Sequence, residues 1–131
     1  MGSMKLLLDT HALLWWLFDD PKLSAAARKR IAEPGNMVHV SAASAMEITT
    51  KHRKGKLPEA GDVPRRLLDY IRKARFVPLP ITVEHALTAG ALPGPHNDPF
   101  DRLLIAQAAS EDMPIVSIDP VFKSYGAKVI W

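Results

Sequence analysis

The chain has 131 residues, 47% hydrophobic and 24% charged, and it lacks cysteine. That length suits one ordinary domain, while the missing cysteines exclude a disulfide framework, a thiolate metal site and a cysteine nucleophile. The formal charge of +3 is uneven: Lys51 to Arg75 holds nine of the seventeen lysines and arginines against three acids, so that segment carries +6 and the remainder −3.

No apolar run approaches the roughly 20 residues a membrane span requires, so no membrane association is expected and the cytoplasm is the expected location. Met1-Gly2-Ser3 reads as a cloning remnant ahead of a natural start at Met4, with residues 4–131 forming a single domain. Lys5 to Leu8 is a short apolar run that predicts a strand, and Leu13, Leu14 and Leu17 then recur at helical spacing up to Asp19-Asp20-Pro21. Trp15 and Trp16 are neighbours on that helix and point about 100° apart, so one of them is expected at the surface as a contact to a partner protein or a second copy. Two partly buried core aromatics, or a base-stacking pair, are the other readings.

Ser24 can cap a second helix running to Glu33, and Pro34-Gly35-Asn36 turns the chain into a strand at residues 37–40. A third helix is predicted over residues 41–53. A basic amphipathic helix follows at residues 62–75, with Val63, Leu67, Leu68 and Ile71 as its apolar stripe. Phe76 to Leu79 can form a strand that Pro78 confines to an edge. After it come a helix over residues 82–91, a loop to Asn97, a helix opened by Asp98-Pro99, a buried strand at 115–118, a helical turn from Asp119-Pro120 and a last strand at 128–130. This alternation predicts an α/β fold, a three-layer α/β/α sandwich around a central, mainly parallel sheet.

Four acids stand where such a sheet binds ligands. Asp9 and Asp119 follow strands directly, and Glu47 and Asp101 lie within two turns of helix starts, roughly 10 Å from the same edge. Each also has a plain structural reading: Asp9, Asp98 and Asp119 occupy helix-cap positions, while Glu47 and Asp101 fall three residues after Ser44 and Asp98 in capping-box fashion. Convergent carboxylates repel unless some hold protons or share a cation. An all-oxygen set selects a hard ion, Mg²⁺ or Mn²⁺, rather than zinc. Such an ion also binds phosphate, which joins the acids to the basic segment. Hydrolysis of a phosphodiester by water uses both.

The blocks LLLDTHALLWW, VSAASAMEI, HNDPFDRLLIAQA and IVSIDPVF, in this order and spacing, resemble the PIN-domain ribonuclease toxins of VapBC toxin-antitoxin modules along nearly the whole chain. The resemblance implies the toxin of a type II toxin-antitoxin system: a metal-dependent endoribonuclease, usually dimeric, inhibited by a cognate antitoxin. Asp9, Glu47, Asp101 and Asp119 match the family's acidic quartet, as catalytic groups and as ligands of Mg²⁺ or Mn²⁺. Asp98 is left as a cap that can reach a water on the metal. Many relatives carry tryptophan where Met46 stands and arginine where Asn97 stands. The first change is expected to alter the packing behind Glu47, and the second removes a positive charge from the mouth of the site.

Thr10 and Ser117 match hydroxyl positions that can orient a carboxylate or a water. Arg102 can hold a phosphate or pair with an acid. Lys51, Arg53, Lys54 and Lys56 are the expected contacts to RNA, with a solvated helix face as the plainer reading. His11 and His96 are expected at the surface or behind the ligands. A non-catalytic nucleic-acid-binding module would explain the basic segment but not acids that repel phosphate. A nuclease acting on DNA remains open. A phospho-accepting receiver lacks its acidic pair near the first strand, and an Asp-x-Asp phosphatase fails because residue 11 is His11.

Overall fold

The computed structural model describes residues 3–131, so the reading of Met1 and Gly2 as a cloning remnant lies outside the described residues. The order is β1 (Lys5–Leu8), α1 (Thr10–Leu17), α2 (Ala25–Ala32), β2 (Met37–Ser41), α3 (Ala42–Arg53), α4 (Val63–Ala74), β3 (Val77–Leu79), α5 (Val83–Ala91), α6 (Pro99–Ser110), β4 (Ile115–Val116), α7 (Pro120–Ser124) and β5 (Val129–Ile130). The strands form one sheet in the order β3-β2-β1-β4-β5, and every described pairing is parallel.

Alternation along the strands builds two cores. Leu6, Leu8, Val38, Val40 and Val116 face α1, α2 and α4, while Leu7 and Ile115 face α6 and α7. A sheet covered on both sides has no solvated face, which is why its strands read as continuous apolar runs. The expected three-layer α/β/α sandwich is the observed one. Pro78 lies in β3 at the sheet edge, where its missing N–H costs no ladder bond on the open side.

Some local expectations change. The strand expected at 115–118 ends at Val116: Ser117 still donates its N–H to Ile130 at 3.2 Å, but its side chain turns to Asp9, and Ile118 is exposed. Leu68 does not belong to the buried stripe of α4. It projects about 100° from Leu67 and is 64% exposed, leaving Val63, Leu67 and Ile71 to fill the core. Pro58–Ala60 forms a 3-10 turn that buries Ala60. Neither tryptophan is fully exposed. Trp15 is covered by Trp131, ring centroids 5.7 Å apart, and Trp16 lies 6.2 Å from Phe76, so the two half-buried rings border the first core from different sides.

Connections from β1 lead toward β2, and those from β4 lead toward β5, so the winding reverses between β1 and β4. The crevice at their C-terminal ends is where an open parallel sheet admits a ligand. α1, α3 and α7 all begin at that edge, directly after β1, β2 and β4. Leu7, fully buried on the central strand, keeps the edge in register. Leu7→Ala is expected to cost about 3 kcal/mol of unfolding free energy, read as a lower urea midpoint at unchanged slope.

Candidate active site

Asp9 follows β1 and caps α1. Its Oδ1 accepts the Ala12 N–H at 2.8 Å and its Oδ2 accepts the Ser117 hydroxyl at 2.5 Å. Two donors hold the carboxylate in one orientation, yet the group is buried, and burial together with the Asp101 charge outweighs them. The Asp9 carboxyl is pushed up from 3.8 to about 6 by desolvation first, against the Ser117 and Ala12 bonds and the nearby His11.

Glu47 lies mid-way along α3, in its second turn, and is also buried. The Thr10 hydroxyl donates to its Oε1 at 2.6 Å, and the Lys51 ammonium, one helical turn further on, sits 2.5 Å from its Oε2. Thr10 Oγ1 also lies 3.1 Å from Ser44 Oγ, so the first residue of α1 fastens α3 behind the acid. Ser41, not Ser44, caps α3, accepting the Ala43 N–H at 2.9 Å. The capping-box reading of Glu47 therefore fails, and its carboxylate is left for the site. Burial pulls the Lys51 ammonium down, but Glu47, Asp98 and Asp101 outweigh that and hold its pKa above the ordinary lysine value.

Asp98 caps α6 and accepts the Asp101 N–H at 2.9 Å, the cap role expected of it. Asp101, half-buried one turn into the helix, accepts from His96 Nε2 through Oδ2 at 2.8 Å. Burial, then the charges of Asp98 and Glu47, raise its carboxyl despite the histidine. Arg102 neither pairs with an acid nor reaches the crevice. Its guanidinium donates to the carbonyls of Ala89 and His96, each at 2.9 Å, and to those of Leu92 and Gly90. These groups lie at the end of α5 and in the loop after it, where helix carbonyls have lost their intrahelical donors.

Asp101 is thus the common neighbour: its charge acts on Asp9, those of Asp98 and Glu47 act on it, and Lys51 feels Glu47, Asp98 and Asp101. Asp119 stands at the exposed rim. It caps α7 by accepting the Val121 N–H at 3.0 Å, and its N–H donates to Ser117 Oγ at 2.9 Å, so Ser117 links it to Asp9. Arg53, Lys54 and Lys56 are exposed at the far end of α3, beyond Lys51. Met46 is 64% exposed and does not pack behind Glu47, correcting the expected effect of its replacing a tryptophan. His11 is exposed and lies over Trp15. His96, expected at the surface or behind the ligands, stands against Asp101; which acid it touches could not be read from the sequence, because the contact crosses from a loop into a helix and no periodic spacing marks it.

Among the described residues, no three acidic or histidine side chains already enclose a position for a metal ion. Glu47 is engaged by Thr10 and Lys51, and Asp101 has turned one oxygen to His96. The donor chemistry nevertheless fits a hard divalent cation. The donors are carboxylates, each oxygen of Asp9 keeps a further lone pair, and Asp101 Oδ1 has no protein partner among the described residues. The carboxyls of Asp9 and Asp101 are raised by burial first and by neighbouring acids second, and a bound cation would offset both costs of holding them ionised.

An acidic crevice at the reversal point of a five-stranded parallel sheet is the arrangement of a PIN domain, and the PIN domain family model matches residues 6–128: the chain belongs to that family. It is 32% identical over 120 residues to Ribonuclease VapC22 of Mycobacterium tuberculosis (strain ATCC 25618 / H37Rv), covering 91% of this chain and 90% of that one. Its fold is similar to that of VapBC2 from Rickettsia felis, solved bound to a DNA fragment from its promoter, with a TM-score of 0.70 at 17% identity over 96% of this chain and 97% of that one. It is likewise similar to Mycobacterium tuberculosis VapC20, described as a Sarcin-Ricin loop cleaving toxin, with a TM-score of 0.67 at 13% identity over 93% and 95%.

The Asp9 carboxyl generates a prediction with a defined sign. Its folded pKa of about 6 lies above the unfolded 3.8, so the native state binds more proton in that window. Its contribution therefore favours folding at low pH and is lost as pH rises through about 6, by up to about 3 kcal/mol. Asp9→Asn keeps the acceptor for Ala12 and presents an amide donor to Ser117 in place of the carboxylate. In EDTA, the variant is expected to gain stability relative to the parent as pH rises from about 4 to 7, measured by urea unfolding. A difference that stays flat across that range contradicts the buried, raised carboxyl.

Proposed function

We propose that this chain is the toxin of a type II toxin-antitoxin pair, a divalent-metal-dependent endoribonuclease that hydrolyses RNA phosphodiester bonds. The observation that carries the proposal is the Asp9 carboxylate, buried at the reversal point of the sheet and within the field of Asp101. A structural cap has no need of a second acid beside it. The ribonuclease name of VapC22 and the Sarcin-Ricin loop cleaving description of VapC20 support the reaction class, and the VapBC pairing supports a protein antitoxin as partner.

In this reading Asp9 and Asp101 hold Mg²⁺ or Mn²⁺, with Glu47 and Asp119 completing the acidic quartet from α3 and the rim. The ion supplies charge neutralisation at the scissile phosphate and lowers the pKa of a water. The remaining work belongs to the chain. Ser117 and Thr10 fix the directions in which Asp9 and Glu47 present their oxygens. The Lys51 ammonium pairs with the buried Glu47 side chain and offers a cation to a phosphate oxygen. Arg53, Lys54 and Lys56 meet phosphates flanking the cleaved bond. The active unit is a homodimer located in the cytoplasm. Among the described residues no helix is long and apolar enough to cross a membrane.

The test is cleavage of a structured RNA by the chain freed of any bound partner and supplied with Mg²⁺ or Mn²⁺. Asp9→Asn and Asp101→Asn are expected to lose more than the ~10–100-fold that follows loss of a supporting group, with Asp119→Asn less affected. Cleavage by Asp9→Asn at the parental rate, or none by the parent with either metal, overturns the proposal. Lys51→Gln is expected to slow cleavage about tenfold or more while retaining Mn²⁺ binding. Parallel loss of cleavage and Mn²⁺ binding would instead make Lys51 a support of the metal site.

A further inference from the structure

The exposed loop between α5 and α6 is fastened from two sides. Arg102 binds two carbonyls of the loop, those of Leu92 and His96, and two at the end of α5, those of Ala89 and Gly90. From the other side, the His96 N–H donates to the Tyr125 hydroxyl at 3.3 Å, and the two rings lie 6.4 Å apart. Gly94 sits at φ +96, and a Cβ there would come within 2.5 Å of Tyr125 Oη, so the loop lies directly on the tyrosine. A backbone held from both sides leaves the His96 side chain little freedom. It points at Asp101 Oδ2.

We infer that Arg102, the loop 92–97 and His96 form a clip that positions the Asp101 carboxylate, directing Oδ1 into the crevice as a cation ligand; the inference rests on the metal-dependent reading above. The arrangement solves a problem particular to Asp101. Asp9 is oriented by a backbone N–H and a buried hydroxyl, and Glu47 by Thr10 and Lys51, but Asp101 projects from a helix whose own cap, Asp98, engages only its backbone. Without His96 the side chain would turn freely about χ1 and χ2 beside the like charges of Asp98 and Glu47, which favour its swinging away. His96 is thus a positioning residue. Arg102 positions it in turn, through backbone carbonyls rather than through any contact with substrate.

The experiment measures Mn²⁺ dissociation constants by the electron paramagnetic resonance of free Mn²⁺, alongside Tm and the kinetics of RNA cleavage, for the full chain and its variants. His96→Ala is expected to weaken Mn²⁺ binding ~10–100-fold with Tm close to the parent, and to lower kcat with KM little changed. His96→Gln, which retains a donor of similar reach, is expected to restore a substantial part of the affinity. Arg102→Lys keeps the charge but not the planar fork, and is expected to weaken Mn²⁺ in the same direction as His96→Ala. Parental Mn²⁺ affinity in His96→Ala, or a His96→Gln no better than His96→Ala, overturns the clip while leaving the nuclease reading intact. If the parent binds no Mn²⁺, the metal-dependent reading itself fails and the clip fails with it.

Discussion

Carboxylates buried side by side must be stabilised by the protein, because each ion removed from water costs several kcal/mol and each neighbour of like sign adds to that cost. Asp9 and Glu47 are buried, Asp101 is half-buried with its charge coupled to each, and the local structure around them is arranged as a set of donors. Ser117 leaves β4 to reach Asp9, Thr10 turns from α1 to Glu47, Lys51 reaches back one turn along α3, and His96 reaches forward into α6. The compensation is incomplete for Asp9 and Asp101, whose carboxyls stay raised. A site left short of positive charge at the reversal point of a parallel sheet is suited to a cation and a polyanion arriving together.

The same geometry explains why a helix cap and a ligand-facing acid are hard to tell apart here. A strand that ends at the C-terminal edge hands its next residue both jobs: its side chain must accept the free amides of the helix it starts, and it faces the crevice. Asp9 divides its oxygens, one accepting the Ala12 N–H of the helix it starts and the other the Ser117 hydroxyl from the neighbouring strand's end. Asp98 and Asp119 cap without burial of that kind. Burial, more than cap geometry, therefore distinguishes Asp9 from the other aspartates at helix starts.

Much of this was legible in the sequence because it depends on periodicity and punctuation. The strand and helix order, the edge position of Pro78 and the caps at Asp9, Ser24, Asp98 and Asp119 follow from apolar spacing and from residues with one strong local preference. What stayed hidden depends on rotation about a helix axis or on contacts between distant segments. The exposure of Leu68 and Met46 and the covering of Trp15 by Trp131 are of this kind. So is the choice of Ser41 over Ser44 as the cap of α3, which is settled by where β2 ends rather than by the serine itself.

Arg102 shows the point most clearly. Beside Asp101 in sequence, it reads as a partner for an acid or a phosphate, but consecutive helical residues diverge by about 100°. If Asp101 is turned to the crevice, Arg102 must turn elsewhere, and in this fold that direction holds the end of α5 and the loop leading back to α6. The guanidinium has five donors in a fixed plane, and there it meets carbonyls that lack partners. Its charge is spent away from the acids, yet the loop it fastens ends in the histidine that touches Asp101. Adjacent residues on one helix thus act on the same carboxylate by opposite routes, one by bearing it and the other by anchoring the loop that holds it still.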